Sequence, residues 1–79
     1  MLNVTVLTPE SVLFNGRAHQ VILPGEQGVL EILPFHRPLV SRLLPGLLLI
    51  DDQPIPIRRG VVKIAHDAVT AIIEPDDPT

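Results

Sequence analysis

Apolar and polar positions alternate along most of this chain, and turn residues repeatedly cut the alternation short. In "LNVTVLT", Leu2, Val4 and Val6 fall on one side and Asn3 and Thr5 on the other, the two-residue period of a half-buried strand. "VLFNGRAHQVIL" reads as two strand pieces around Asn15-Gly16, a dipeptide suited to a tight turn or to a bulge. Leu23-Pro24-Gly25-Glu26 predicts a type II turn: proline presets φ at the second position and glycine accepts φ > 0 at the third. "GVLEIL" follows as a strand with Leu30 and Ile32 on one side and Val29, Glu31 and Leu33 on the other. A charge between two apolar neighbours implies that this second side is partly covered, with another chain as a candidate cover.

After Pro34 the pattern predicts a crossing loop, then "LVSRL", a second turn at Leu44-Pro45-Gly46, the strand "LLLI", and a polar turn at Asp51-Asp52-Gln53-Pro54. "IPIRRGVVKIA" and "AVTAII" pair across His66-Asp67 as a C-terminal hairpin, and Pro56 and Gly60 imply a bulge or an edge position in its first strand. The nine prolines and five glycines leave no window for a long helix. The expected fold is all-β, a small antiparallel sandwich or flattened barrel of about eight to ten short strands. One domain over residues 1–74 is expected, with residues 75–79 an acidic, proline-containing tail that ends the chain or starts a linker.

Composition narrows the function classes. A chain of 79 residues buries a thin core, and without cysteine no disulfide staples it, so a partner subunit is a natural source of stabilisation. Six basic against nine acidic side chains, with Phe14 and Phe35 the only aromatic residues besides histidine, argue against nucleic-acid binding. The N-terminus has no basic n-region or apolar h-region, so no signal peptide is expected. The longest apolar run, Leu47 to Ile50, falls far short of the roughly 20 residues that cross a bilayer. Direct membrane insertion is not expected, and any link to a membrane runs through another protein.

Catalytic chemistry finds no foothold. His19, His36 and His66 sit in different segments with no metal-ligand spacing, so no metal is expected. Ser11 and Ser41 lack a nucleophile-elbow context, and "GEQG" has no Lys-Ser/Thr after it to make a phosphate cradle. Asp51-Asp52 and Asp76-Asp77 read as solvated turn carboxylates, and Arg58-Arg59 as a surface doublet open to ion pairing. No enzyme and no cofactor are expected. Glu26, Gln27, Glu31, His36 and Arg37 stand among apolar neighbours in loops anchored by rigid turns, a mosaic suited to protein recognition.

At these residues the chain resembles the epsilon subunit of rotary F-type ATP synthases, called delta in mitochondria. The likeness lies in "TPESVLFNGRAHQVILPGEQGVLEILPFHRPLVSRLLPGLLLI" and in the hairpin "RRGVVKIAHDAVTAII", and it covers Val4 to Ile73. Its most specific part is the spacing of Pro24-Gly25, Gly28, Pro34, His36, Pro38 and Leu39. The resemblance implies a non-catalytic rotor subunit that joins the gamma shaft to the membrane ring of c subunits, peripheral to the cytoplasmic face of a bacterial inner membrane. By position, Glu26, Gln27, Val29 and Glu31 would face the c-ring, and Thr8, His36 and Ser41 would look toward gamma. Gly16, Pro24, Gly25, Gly28, Pro45, Gly46 and Gly60 would be requirements of the backbone.

Three departures from the family pattern stand out. Val29 takes a position that is often acidic, and Glu31 replaces a small glycine, so the charge moves two residues along the strand and keeps its side. Arg59 replaces the first glycine of a usual pair. The 79 residues hold only the sandwich, without the helical hairpin that in many relatives binds ATP and brakes hydrolysis, so no ATP binding is expected of this chain by itself. Two other classes compete with a rotor subunit. One is a free-standing β-sandwich that binds sugar or peptide, disfavoured by the lack of tryptophan and tyrosine. The other is a small hydrolase using His36 with Glu26 or Glu31.

Overall fold

The structure, a computed structural model, describes residues 1–76. Among them are eight strands and no helix: β1 (Leu2–Leu7), β2 (Val12–Ala18), β3 (Val21–Gly25), β4 (Gly28–Ile32), β5 (Leu39–Leu43), β6 (Gly46–Ile50), β7 (Gln53–Ala65) and β8 (Ala68–Pro75). They form one sheet in the order β2-β1-β8-β7-β5-β3-β4, with β6 pairing both β3 and β7. All pairings are antiparallel except β1 with β8, which is parallel and departs from the purely antiparallel sheet expected. These are the first and last strands, so the rest of the sheet serves as the long crossover that a parallel pair requires.

Every strand contributes to one buried cluster, including Leu2, Val4 and Val6 of β1, Leu23 of β3, Ile32 of β4, Leu48 of β6, Val62 and Ile64 of β7, and Ile73 of β8. One face of a single sheet is sealed from water to this degree only when the sheet folds over on itself. The result is a flattened sandwich whose inner faces pack together.

The fold turns where the alternation slips. In β7 the inward positions run Ile55, Ile57, then Gly60, Val62, Ile64, because Arg58 is an extra residue between Ile57, opposite Pro75, and Arg59, opposite Glu74. The expected bulge is therefore present, two residues before Gly60. On the neighbouring side Leu43 pairs with Gly60 and Gly46 pairs with Ile57, so Leu44 and Pro45 bridge the same slip. β5 and β6 thus lie end to end along β7, and Leu44-Pro45-Gly46 is a corner, not the reversal its proline and glycine suggest.

Two further turn expectations give way to strand. Leu23, Pro24 and Gly25 pair with Leu30, Val29 and Gly28, so the chain reverses at Glu26-Gln27 and the positive φ, 125°, belongs to Gly28. The inward series Val21, Leu23, Gly25 carries the strand past the proline. Gly25 is needed for closeness: a Cβ there would lie 2.8 Å from the carbonyl oxygen of Gly28. β2 likewise runs straight through Asn15-Gly16, which pair with Thr5 and Val4, and its irregularity falls at Leu13. By contrast His66 and Asp67, both at positive φ, close the predicted hairpin in the manner of a type I′ turn. At the C-terminal end, the amide of Asp76 donates to Pro56 O at 3.2 Å; Asp77 and the rest of the expected tail lie outside the described residues.

Candidate partner interface

The hairpin of β3 and β4 gathers the four residues expected to face the c-ring. Glu26 and Gln27 form its exposed tip, while Val29, 76% exposed, and Glu31 follow on one side of β4. Because Val29 and Glu31 are two residues apart on a strand, the displaced charge does keep its side. β4 pairs only with β3, so its outer edge is free among the described residues. Glu26 and Gln27 also border a shallow depression with Leu30, Leu39, Ser41 and Arg42.

Thr8, His36 and Ser41 stand at three separate places. Thr8 closes the β1–β2 turn: its Oγ1 accepts from the amides of Glu10 (3.2 Å) and Ser11 (3.0 Å), and its amide donates to Ser11 O at 2.8 Å. His36 lies in a depression with Phe35, Arg37, Pro38, His66 and Asp67, which includes neither Glu26 nor Glu31. That lining offers no histidine–glutamate pair for hydrolysis. Ser41 pairs with buried Val62 and is half-buried, its hydroxyl donating to Arg42 O at 2.9 Å. Asn3 pairs with Ala68 and Leu7 with Ile72, so Thr8 and His36 belong to opposite ends of the β1–β8 pair. At about 3.3 Å per residue they are on the order of 15–20 Å apart along the strands.

Two loops are tied down by aspartates: Asp51, expected to be a solvated turn carboxylate, and Asp67 of the hairpin turn. Asp51 Oδ1 accepts from the amides of His19 (3.0 Å) and Gln20 (3.2 Å). Asp67 Oδ1 accepts from the amide of Phe35 at 2.7 Å, and the carbonyl of Asp67 accepts from Asn3 at 2.8 Å. Arg59 Nε donates to Glu74 Oε2 at 2.7 Å and Arg58 Nη1 to Oε1 at 3.3 Å, so the basic doublet finds its ion-pair partner within the chain. The Arg59 hydrogen bond, with the charges of Arg59 and Arg58, holds the Glu74 carboxyl below the ordinary glutamate range against a smaller opposing effect of desolvation.

An apolar stripe lies on the outer face of the sheet. Val61 and Ile72 are cross-strand partners, both exposed, with Arg42 beside Val61 and Leu7 beside Ile72. Depressions on either side of Ile72 carry Leu13 and Thr8 on one flank and Leu44 and Val61 on the other. The signal was present in the doublets Val61-Val62 and Ile72-Ile73, where apolar residues occupy both faces of one strand. Among the described residues no group of three or more potential metal ligands is assembled.

The family described as ATP synthase, delta/epsilon chain, beta-sandwich domain, matches residues 1–74. The chain belongs to this family. Among curated members, the ATP synthase epsilon chain 2 of Burkholderia orbicola (strain AU 1054) is 35% identical over 79 residues, covering 92% of this chain and 52% of its own length. The ATP synthase epsilon chain of Bordetella avium (strain 197N) is 38% identical over 76 residues, covering 90% and 54%. The chain therefore spans about half the length of the epsilon chains it matches.

The same fold recurs in solved structures. A chain in the cryo-EM structure of the Euglena gracilis mitochondrial ATP synthase OSCP/F1/c-ring superposes with a TM-score of 0.82 at 15% identity, over 91% of this chain and 49% of that one. A chain of the Tetrahymena thermophila mitochondrial ATP synthase central stalk and c-ring gives 0.73 at 18% identity, over 92% and 63%. At such identities the likeness speaks for the fold.

Proposed function

We propose that this chain is the β-sandwich part of a non-catalytic rotor subunit of a proton- or sodium-translocating F-type ATP synthase. In this reading it docks the gamma shaft to the c-ring, so that ion-driven ring rotation reaches the site of ATP synthesis. It sits peripherally at the cytoplasmic face of a bacterial inner membrane and inserts nothing into the bilayer. The observation that carries the reading is the family match over residues 1–74, the whole of the folded sandwich apart from its last strand residue, Pro75.

The geometry supports a division of surfaces. The β3–β4 hairpin end, with Glu26, Gln27, Val29 and Glu31, is a compact and rigid projection suited to the polar loops of a ring. Gamma takes the broader surface from Thr8 to His36, where the exposed Val61–Ile72 stripe supplies apolar area that polar contacts by themselves would not. Ser41 borders the depression between the two surfaces. Nothing in this arrangement needs a cofactor. The test is co-purification: the tagged chain, expressed in cells that carry the synthase, is expected to bring down gamma and the c-ring together. Recovery of neither would overturn the proposal.

A further inference from the structure

Phe35 is the most exposed large apolar side chain among the described residues, 92% accessible, and its φ is 68°. The amide of His36 donates to Leu33 O at 3.2 Å, closing a turn with Pro34 and Phe35 at its centre. Proline followed by a residue at positive φ is the type II arrangement, whose second central position normally belongs to glycine. A bulky side chain there is an outlier on steric grounds. Exposed as it is, the ring does almost no packing within this chain, so neither core formation nor turn chemistry explains a phenylalanine at this position.

The surroundings fix the backbone that carries that ring and give the site a charge. Asp67 clamps the Phe35 amide at 2.7 Å and is itself fixed, at φ 61° in the β7–β8 turn and through its carbonyl bond to Asn3. The residues lining the depression beside it are Phe35, His36, Arg37, Pro38, His66 and Asp67. The one carboxylate in that set has an oxygen engaged by Phe35, while the Arg37 side chain is exposed and makes no ion pair among the described residues. An aromatic knob on a fixed backbone, beside an exposed cation, complements an apolar cup with carboxylates on its rim.

We propose that Phe35 anchors this chain on the gamma shaft. Its ring enters an apolar cup on gamma, Arg37 pairs with acidic groups on the rim of the cup, and Asp67 is the positioning residue that pre-sets the loop. Little ordering is then needed on association. This inference rests on the gamma-docking reading above and adds a residue that the resemblance did not assign.

The test measures binding of the full chain to the purified gamma subunit and, separately, to detergent-solubilised c-ring from the same synthase. Phe35→Asn removes the ring but keeps a residue that tolerates positive φ. It is expected to weaken gamma binding at least tenfold, with unchanged thermal stability and unchanged c-ring binding. Asp67→Gly keeps the turn but removes the clamp and is expected to weaken gamma binding several-fold, whereas Asp67→Asn, which retains an acceptor oxygen, restores it. In the Phe35→Asn background Asp67→Gly is expected to add little, since the two act through one ring. Arg37→Glu should weaken gamma binding most at low salt. If the parent chain binds gamma and Phe35→Asn binds equally well, or loses the c-ring instead, the anchor is refuted while the rotor reading stands. If the parent chain does not bind gamma, the docking reading falls and the anchor with it.

Discussion

The amide of Leu44 donates to the carbonyl of Pro24 at 2.8 Å, so the two Leu-Pro-Gly segments lean on each other across the sheet corner. Around this bond β3 passes from pairing with β5 at Gly25–Leu43 to pairing with β6 at Ile22–Leu49. Leu44→Pro removes the donor and leaves the Pro24 carbonyl without it, at an expected cost of about 1–3 kcal/mol. Leu44→Ala keeps the amide and, at an exposed side chain, is expected to cost less. Urea denaturation of the pair checks this, and equal midpoints would refute it.

The corner also depends on a missing side chain. A Cβ on Gly60 would lie 2.6 Å from the Ile72 carbonyl oxygen and 3.1 Å from the Ile73 Cα, backbone atoms of β8 that cannot step aside. At Gly16 the nearest obstacle is the tip of the Phe14 ring at 3.3 Å, which can turn away. Gly60→Ala is therefore expected at or above the upper end of the ~1–3 kcal/mol typical of overpacking, and Gly16→Ala below it. For a domain of this size each kcal/mol lowers Tm by roughly 4–8 °C, so calorimetry separates the two. The reverse ranking would contradict the placement of β7 against β8.

How far the fold was legible can be read from individual residues. Leu2, Val4 and Val6 announced β1 because nothing local competed with their alternation. His66-Asp67 announced a hairpin because both residue types tolerate the positive φ that a tight reversal needs. Pro24-Gly25 carries a local turn preference that tertiary pairing overrides: Leu30, Val29 and Gly28 hold that segment in the sheet. The parallel contact of β1 with β8 had no local signal, since alternation says which face is buried and not which strands meet. For the interface, Glu26 to Glu31 come together simply because they are close in sequence. Thr8, His36 and Ser41 came from the resemblance, and their separation depends on three different loops. The left-handed backbone of Phe35 could not be read at all, because the clamp that helps to stabilise it comes from Asp67, 32 residues away.

Glu74 predicts a modest dependence of stability on pH. Its folded-state pKa is lowered, chiefly by the Arg59 hydrogen bond, so its contribution is present above the unfolded value and is lost as pH falls through the folded one. Thermal unfolding of parent and Glu74→Gln is expected to differ slightly near neutral pH. The difference should shrink as pH drops below the ordinary glutamate value of about 4.3. Both ion pairs are exposed, so added salt should also reduce it. A difference that grows on acidification would mean that the carboxylate is not stabilised by the arginines.

The β3–β4 hairpin end carries the last prediction. Glu26 and Glu31 are exposed and flank Val29 on a backbone set by the Gly25–Gly28 hairpin, so reversing their charge leaves the core untouched. Pairs between these carboxylates and basic or amide groups of ring loops at a wet rim are worth about 0.2–1 kcal/mol each, and they act mainly on register and encounter rate. The larger share of affinity falls to apolar surface around Val29. The double variant Glu26→Lys, Glu31→Lys is therefore expected to keep the parent Tm but to bind detergent-solubilised c-ring more weakly, by about twofold to roughly thirtyfold if both terms are lost in full, at about 1.4 kcal/mol per tenfold. Because screening removes such contributions, the defect should be largest at low ionic strength and fade as salt approaches 1 M, where the Debye length is about 3 Å. Parent-like c-ring binding at low salt would show that the ring seats elsewhere on the sandwich. Loss of gamma binding in place of c-ring binding would assign this hairpin end to the shaft.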